Sequence, residues 1–388
     1  MMKRHLIWVA ICVCLVIVVP SGSFAQSSKG SIKFGTVLAL TGTIAATGAE
    51  TKRGMLTAVD EVNKGWGGVN GRPIEIVFED DANVKTQATA VFRKLAEEKD
   101  ILAITLSSTG CSMAMSPLCE RYRIAGISPW SIGSWPGGFN DWTFRNTIPD
   151  TVMVPELLKA AKEKFGIKRA AMMFDYTDDW SVQGVPIFRD ACKNAGIEIA
   201  LPPQSYARGD TDYSAQLTKI KAANVDGIFM PAQVQEGSLI VSQSRKLGIT
   251  ARFLGTSGYI STQGLGQAGE AADGTLAMLA FHPGSKKAAW VNFHNRFKKL
   301  YPNEKVHSYC DVCGYDVVLL LADSAKRAKI VPPITPEKRK ALRDALASTA
   351  GFEGATGVFN YKGSGDALSR PGVLVTFDAK SGDFKAVE

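Results

Sequence analysis

The chain has 388 residues, of which 45% are hydrophobic and 21% charged, and its formal net charge is +8. This length exceeds one ordinary core and suits two domains, and the balanced composition excludes a disordered or fibrous chain. Basic and acidic residues are interspersed, without the basic stripe and interleaved aromatic residues of a nucleic-acid groove, so that class of function is excluded too.

The first 25 residues have the parts of a secretion signal. Two basic residues precede an apolar run over residues 6–19, Pro20 ends the run, and residues 23–25 are Ser-Phe-Ala, which suits a signal peptidase. As a helix this run spans about 21 Å, less than the roughly 30 Å hydrocarbon core, so we expect cleavage near Ala25. An uncleaved anchor is the alternative. The sequence therefore predicts an exported protein.

From residue 32 onward, short β-type runs alternate with stretches of helical periodicity, as in parallel α/β units. Strands are predicted at residues 32–40, 74–78, 101–106 and 125–128, and helices at 49–63, 84–98 and 112–122. The turn sequence Asn70-Gly71-Arg72-Pro73 separates the first helix from the second strand. The first part of the chain is therefore expected to form one lobe.

The alternation restarts after Pro149, which predicts a second lobe of the same architecture. Here strands are predicted at residues 169–174, 225–230, 253–254 and 274–281, and helices at 154–165, 182–195, 213–220 and 238–247. Three helical stretches follow residue 283, the first with an apolar face around Trp290, and β-type runs come last. The later two stretches span residues 308–329 and 336–348, and the β-type runs span 357–361 and 373–377.

Five cysteines follow the expected signal, namely Cys111, Cys119, Cys192, Cys310 and Cys313. The last two have the C-x-x-C spacing of a redox or metal site, but no second pair and no ligand-spaced histidine accompanies them. Packing cysteines, with or without a disulfide, are therefore favoured over a redox or zinc site.

Motifs for cofactors and catalysis are missing from the sequence. The loop at residues 41–48 joins a strand to a helix but lacks G-x-G-x-x-G, and neither a P-loop nor a G-x-S-x-G motif occurs. No cofactor, metal site or catalytic residue is therefore predicted. A secreted hydrolase that uses the acidic pair Asp178-Asp179 is kept as an alternative, although a solvated acidic loop explains that pair more simply.

Hydroxyl and aromatic side chains follow five of the predicted strands. They lie in residues 106–110, 128–135 and 174–181, at Gln233, and in residues 255–259. The carboxyl ends of parallel strands border the crevice where open α/β sheets bind ligands. Each loop alone is explained as a helix cap or as packing, but together they predict a pocket between two lobes.

Several motifs resemble one known family, the periplasmic solute-binding proteins of ABC importers of the leucine/isoleucine/valine-binding type. The resemblance is carried by residues 34–42 with Gly48 and Gly54, by residues 70–74, Asp80-Asp81, 127–129, Phe144-Arg145, 214–217, 219–221 and Gly248, and by residues 357–365. It covers nearly all of the chain that follows the expected signal.

The resemblance implies an α/β fold of two Rossmann-like lobes joined by a three-crossing hinge, the type I periplasmic binding protein. It places residues 31–147 and 281–355 in the first lobe, and residues 148–280 and 356–388 in the second. It also implies a monomer in the periplasm that binds a small-molecule ligand, has no enzymatic activity, does not bind nucleic acid, and works with permease and ATPase subunits. An exported sensor module is a further functional alternative.

The expected ligand-binding residues follow from the loops and from the resemblance. They are Thr47, Ser107, Ser108, Thr109, Trp130, Ser131, Gly133, Tyr176, Trp180, Gln233 and Ser257. The resemblance implies that a serine among residues 107–109 binds the carboxylate of the ligand, and that Ser257 replaces the acid that pairs with its ammonium group. The acids that are candidates to replace this charge are Asp178, Asp179 and Glu236.

A buried ammonium group without a counter-charge is costly. The sequence therefore predicts an anionic or polar ligand with an apolar, aromatic body stacked among Trp130, Trp135 and Trp180.

Overall fold

The computed structural model describes residues 30–135, 138–281, 284–306, 308–361, 365–367 and 371–387. The expected signal, residues 1–25, lies outside these residues. Within the described ranges, no helix has both the length and the apolar character needed to cross a membrane.

The first lobe contains a five-stranded parallel sheet. Its strands are β1 (Ile32–Leu38), β2 (Ile74–Asp80), β3 (Ile101–Thr105), β4 (Ala125–Ser128) and β5 (Thr143–Arg145), in the order β2-β1-β3-β4-β5. The helices that connect them are α1 (Ala45–Asp60), α2 (Lys85–Glu97) and α3 (Thr109–Tyr122). β3 is buried along its whole length, as expected for a parallel strand with helices on both faces.

The second lobe contains a larger, mixed sheet. Its parallel strands are β6 (Arg169–Asp175), β7 (Glu198–Ile199), β8 (Gln204–Tyr206), β9 (Gly227–Phe229), β10 (Arg252–Gly255) and β11 (Leu276–Leu279). The helices are α4 (Asp150–Phe165), α5 (Asp179–Ala195), α6 (Ser214–Ala223), α7 (Val234–Lys246) and α8 (Thr262–Ala268). Two antiparallel strands near the end of the chain extend the sheet beyond β11.

The chain returns to the first lobe after β11. There it forms α9 (Ala288–Leu300), α10 (Tyr309–Arg327), α11 (Pro336–Ala347) and the hairpin of β12 (Phe352–Gly354) with β13 (Gly357–Phe359). The antiparallel strands that extend the second sheet are β14 (Val373–Asp378) and β15 (Asp383–Ala386). The chain therefore crosses between the lobes three times, and the expected three-crossing α/β fold is confirmed.

Residues beyond the expected boundary at residue 356 still contact the first lobe. The amide of Thr356 donates a hydrogen bond to Asp316 on α10, and the amide of Arg145 on β5 donates to the carbonyl of Gly365. The first bond holds the turn between β12 and β13 against α10, and the second holds Gly365, after β13, against β5.

Glycines permit a close approach of α1 and α10 in the first lobe. A Cβ atom at Gly54 would lie 1.8 Å from the carbonyl oxygen of Asp311, and one at Gly314 would lie 2.3 Å from that of Thr51. Both distances are too short for any side chain. The two helices therefore contact each other through their backbones, and this contact fixes the start of α10.

We expect Gly54→Ala to destabilise the protein, because the added methyl group forces α1 and α10 apart. Overpacking of this kind costs about 1–3 kcal/mol of unfolding free energy. Urea unfolding followed by circular dichroism measures the loss. The control is Gly266→Ala on α8, where a Cβ atom meets nothing within 4 Å. A helical Gly→Ala change in open space stabilises by roughly 0.5–1 kcal/mol, so equal destabilisation by both variants would contradict the close approach.

Candidate ligand-binding site

A cavity lies between the two lobes, bordered by the first turns of several helices. Its empty space, with the open side included, is about 890 Å³. Both lobes line it, so a molecule inside contacts the two together. Seven of the expected site residues are in its lining: Thr47, Ser108, Thr109, Trp130, Trp180, Gln233 and Ser257.

Three expected residues are buried behind the lining. The carbonyl of Ser107 accepts hydrogen bonds from the hydroxyls of Ser112 and Ser128, at 2.6 and 3.1 Å. The hydroxyl of Ser131 and the amide of Gly133 lie 3.3 and 3.4 Å from Thr109 Oγ1. These residues therefore hold the start of α3 in place, and the cavity lining does not include them.

The sequence-based placement of two aromatic residues needs correction. Tyr176 is 59% exposed and lies outside the cavity lining, because the turn before α5 directs its ring to solvent. Trp135 also lies outside the lining, and its ring stacks on that of Phe139 with 4.5 Å between centroids. The indoles that line the cavity are those of Trp130 and Trp180.

Helix N-termini direct backbone amide donors toward the cavity. The lining includes Thr109, Asp179 and Tyr309, the first residues of α3, α5 and α10. Ser108 and Gln233 are the N-cap residues of α3 and α7, and neither side chain makes a capping hydrogen bond. Backbone amides at helix N-termini stabilise anions. The arrangement therefore suits a ligand that carries a carboxylate.

The acids named as candidate partners for an ammonium group have other contacts. Asp178 caps α5 through the amide of Ser181 and forms an ion pair with Arg208. Asp179 pairs with Lys85 across the cleft, with 2.6 Å between Nζ and Oδ2. Because both carboxylates are held by basic side chains, the acidic pair does not offer the unpaired acid and base that the hydrolase alternative needs.

Glu236, the third acid named for that role, is not part of the cavity lining. It accepts a hydrogen bond from the amide of Gly209 at 3.2 Å, within the second lobe.

The structure adds a polar end to the cavity that sequence patterns did not predict. Glu50 on α1 is 5% exposed and lines the cavity. Its Oε2 accepts a hydrogen bond of 2.5 Å from the hydroxyl of Ser308, the N-cap residue of α10. The hydroxyl of Tyr309 donates to the carbonyl of Trp130 at 3.2 Å. The capping box of Ser308 with Asp311 is a readable sequence signal for the start of α10, whereas nothing in the sequence marks Glu50.

Asp150, the first residue of α4, connects the walls of the cavity. Its carboxylate accepts hydrogen bonds from Trp180 Nε1 and Thr256 Oγ1, both at 2.6 Å, and its amide donates to the carbonyl of Ile132 at 2.8 Å. Complete burial raises the pKa of this carboxyl to about 6, and the hydrogen bonds from Thr256 and Trp180 oppose that rise.

The five cysteines are buried, and none of them forms a disulfide among the described residues. Cys111 and Cys310 line the cavity, and burial raises the pKa of Cys111 to about 12. At neutral pH this thiol therefore stays protonated and does not act as a nucleophile or metal ligand. In the described part of the chain, no group of three or more His, Cys, Asp or Glu residues is placed so that it could hold a metal ion.

Comparisons with known proteins agree with this geometry. The model of the family described as "Periplasmic binding protein" matches residues 31–383. The chain is 27% identical to a Leu/Ile/Val-binding protein homolog 3 of Brucella melitensis, over 90% of this chain and 91% of the relative. It is also 27% identical to a leucine-, isoleucine-, valine-, threonine- and alanine-binding protein of Pseudomonas aeruginosa, over 88% and 89%.

A solved structure is similar over almost its whole length. The branched-chain amino acid transporter substrate-binding protein LivJ of Streptococcus pneumoniae, in complex with isoleucine, superimposes with a TM-score of 0.82 at 26% identity. The match covers 92% of this chain and 99% of the other. These relatives are solute-binding proteins, so the expectations of a type I binding-protein fold and of a protein that is not an enzyme are confirmed.

Asp150 gives a testable pH dependence. Its folded-state pKa is raised from 3.8 to about 6, so the folded protein binds more protons than the unfolded chain between these values, and stability from this group falls as pH rises. The full change in unfolding free energy from this group is about 3 kcal/mol. We expect Asp150→Asn to remove this pH dependence of stability. The unfolding free energy of the variant minus that of the wild type should therefore increase from pH 4 to pH 7. Urea titrations across this range measure the difference, and a difference that does not change with pH would contradict the raised pKa.

Proposed function

This chain belongs to the periplasmic binding protein family, and we propose that it captures a small, carboxylate-bearing organic solute between its two lobes. The observation that carries the proposal is the shared cavity, in which helix N-termini and hydroxyl groups face two indoles from opposite lobes. Such a site binds and releases a solute without chemical change.

The carboxylate of the ligand is assigned to the start of α3. Ser108 and Thr109 line the cavity there, and the uncapped first turn supplies amide donors beside the two hydroxyls. The Ser108 hydroxyl donates to Asn83 Oδ1 at 2.6 Å, so it must turn from Asn83 to reach the ligand. The hydroxyl of Ser131 lies 3.3 Å from Thr109 Oγ1, which keeps the Thr109 side chain oriented. A carboxylate accepts several such hydrogen bonds, and charge-assisted bonds are stronger than neutral ones.

The apolar body of the ligand is assigned to the space between Trp130 and Trp180, which also includes Ile44 and Ile132. The names of the relatives include leucine, isoleucine and valine, and the solved structure contains isoleucine. We therefore favour an aliphatic amino acid. An aromatic carboxylate has less support, because Trp135 lies outside the cavity lining.

Closure of the lobes is the step that traps the ligand. The Lys85–Asp179 pair joins the first turn of α2 to that of α5, one from each lobe, so it forms only when the lobes lie together. A ligand that contacts both walls binds the closed state more tightly than the open one, and this difference shifts the population toward closure.

Further parts of the proposal rest on family membership. The protein is exported to the periplasm, works as a monomer, and delivers its ligand to the permease and ATPase subunits of an ABC importer. The lobe boundaries lie near residues 147 and 281, with the third crossing after residue 367.

Titration calorimetry with Ser108→Ala tests the proposed carboxylate site. We expect the wild type to bind L-leucine, L-isoleucine or L-valine, and the variant to bind about tenfold more weakly, because it lacks the hydroxyl that turns from Asn83 Oδ1 to the ligand carboxylate. The matched control is Ser116→Ala, further along α3. The hydroxyl of Ser116 contacts that of Thr143 on β5, and neither residue is in the cavity lining. Benzoate is titrated in parallel. Tight benzoate binding without an amino-acid response would reverse our preference between the two ligand classes, and no response to either would contradict the proposal.

The cleft ion pair gives a second prediction. The two side chains are 56% and 41% exposed, and an exposed ion pair contributes about 0.2–1 kcal/mol. We expect Lys85→Met to raise the Kd for L-leucine by up to about fivefold in low salt, with little change in 1 M salt. Lys94→Met is the control, because Lys94 pairs with Glu79 inside the first lobe. An equal effect of both variants would show that Lys85 does not act through closure.

A further inference from the structure

We propose that Asn83 positions the Ser108 hydroxyl for the ligand, by turning its side-chain amide when the carboxylate binds. This inference rests on the proposed function, since it takes Ser108 as a donor to a ligand carboxylate. Asn83 lies in the loop between β2 and α2, and it lines the cavity together with Ser108.

The loop between β2 and α2 holds Asn83 against the start of α3. The amide of Asn83 donates to Oδ1 of Asp81 at 2.9 Å. The amide of Ala82 donates to Oδ1 of Asp80, also at 2.9 Å. Ala82 and Asn83 have φ angles of 47° and 61°, in the left-handed region that asparagine tolerates better than most residues. These hydrogen bonds therefore fix the backbone from which the Asn83 side chain extends.

The contact with Asn83 explains why Ser108 does not cap its own helix. A serine at the N-cap position normally accepts a hydrogen bond from an amide of the first turn. Ser108 instead donates its hydroxyl proton to Asn83 Oδ1 at 2.6 Å, and its side chain makes no capping bond. Asn83 therefore keeps the Ser108 side chain from occupying an amide at the start of α3.

Binding of a carboxylate reverses what Ser108 needs from Asn83. Once the hydroxyl turns to the ligand, Ser108 Oγ and Asn83 Oδ1 are two oxygens 2.6 Å apart without a proton between them, which is unfavourable. A half turn of the Asn83 amide places Nδ2, a donor, where Oδ1 was. Ser108 then accepts from Asn83 while it donates to the carboxylate. The thiol of Cys111, 3.9 Å from Oδ1, suits both orientations because it is a weak donor and a weak acceptor.

An amide side chain serves both states of the site. Its oxygen and its NH2 group have nearly the same size, so the half turn needs no other movement. A hydroxyl that accepts one hydrogen bond is polarised and donates a stronger one, so the turned Asn83 strengthens the bond from Ser108 to the carboxylate. A carboxylate at this position would only accept, and a glycine would neither donate nor accept.

Two variants at residue 83 test this role, by titration calorimetry with L-leucine, L-isoleucine and L-valine. Asn83→Gly suits the left-handed backbone, and it should weaken binding about fivefold because the released Ser108 hydroxyl caps its own helix. Asn83→Asp has the same shape but only accepts, so it retains the hydroxyl and repels the carboxylate. It should weaken binding on the order of 30-fold. Thr86→Asp, on the exposed first turn of α2, is the control for added charge and should change the Kd little.

Double variants decide whether Asn83 acts through Ser108. In a Ser108→Ala protein there is no hydroxyl to position, so Asn83→Gly should cause no further loss of affinity. Independent effects of the two changes would instead multiply, and that result would overturn the inference. An unchanged Kd in Asn83→Gly would overturn it too. Thermal unfolding checks that each variant is folded.

The wild-type protein provides a measurement that does not depend on altered affinity. In protein labelled with ¹⁵N-asparagine, the side-chain amide signal of Asn83 is identified by its absence from a variant at this position. Saturation with ligand should shift this signal and slow its exchange with solvent, because Nδ2 gains Ser108 Oγ as an acceptor. Saturation of Ser108→Ala should leave the signal as it is without ligand. A signal that responds equally in both proteins, or in neither, would contradict the turn of the amide.

The possible results separate this inference from the proposed function. If Ser108→Ala weakens binding but the effect of Asn83→Gly is independent of it, the role of Asn83 fails and the carboxylate site remains. If Ser108→Ala has no effect, or if the wild type binds none of the three amino acids, the proposed carboxylate site fails and Asn83 loses its role with it.

Discussion

The site depends on the hydrogen bonds of one buried carboxylate, Asp150, at the first crossing between the lobes. Through them it holds Trp180 on α5, Thr256 after β10 and the carbonyl of Ile132 in the first lobe. Asp150 thus anchors three parts of the cavity wall. Two of them, α5 and the loop after β10, belong to the second lobe, and the third, at Ile132, belongs to the first. A buried carboxylate with several donors is held rigidly. Its burial costs stability once the group is ionised, because loss of water disfavours the charged form and raises the pKa to about 6. The protein therefore keeps a destabilising group where the cavity walls must be fixed relative to the hinge.

Around this anchor, the fold places helix N-termini on both sides of one cleft. In parallel α/β units a helix starts at the carboxyl end of the strand before it, as α3 does after β3 and α5 after β6. The start of α10, which follows α9, reaches the same space. Basic residues that line the cleft are paired with acids there, as in Lys85–Asp179 and Arg208–Asp178. The attraction for an anion therefore comes mainly from oriented amides, which need no reorganisation when the ligand arrives.

The sequence predicted the lobes and most of the strands because hydrophobic periodicity reports burial, and buried strands such as β3 and β4 match it closely. It placed the starts of α3, α4, α5 and α7 about one turn late. Those first turns face the cleft with polar residues, so they lack the apolar spacing that marks a helix. The short strand β5 was missed for a related reason, since three residues give no periodicity. Glu50 was missed because an acid on a helix normally faces solvent, and only the packing of α10 against α1 buries it.

The two walls of the cleft differ in what they offer a ligand. The first lobe contributes the start of α3 with Ser108 and Thr109, and the second lobe contributes Trp180 and Gln233. The Lys85–Asp179 pair joins the two lobes, so it is present only when they lie together. If a carboxylate binds at the start of α3 as proposed, that contact needs only the first lobe. The second lobe then adds apolar burial and the ion pair, and both favour the closed state.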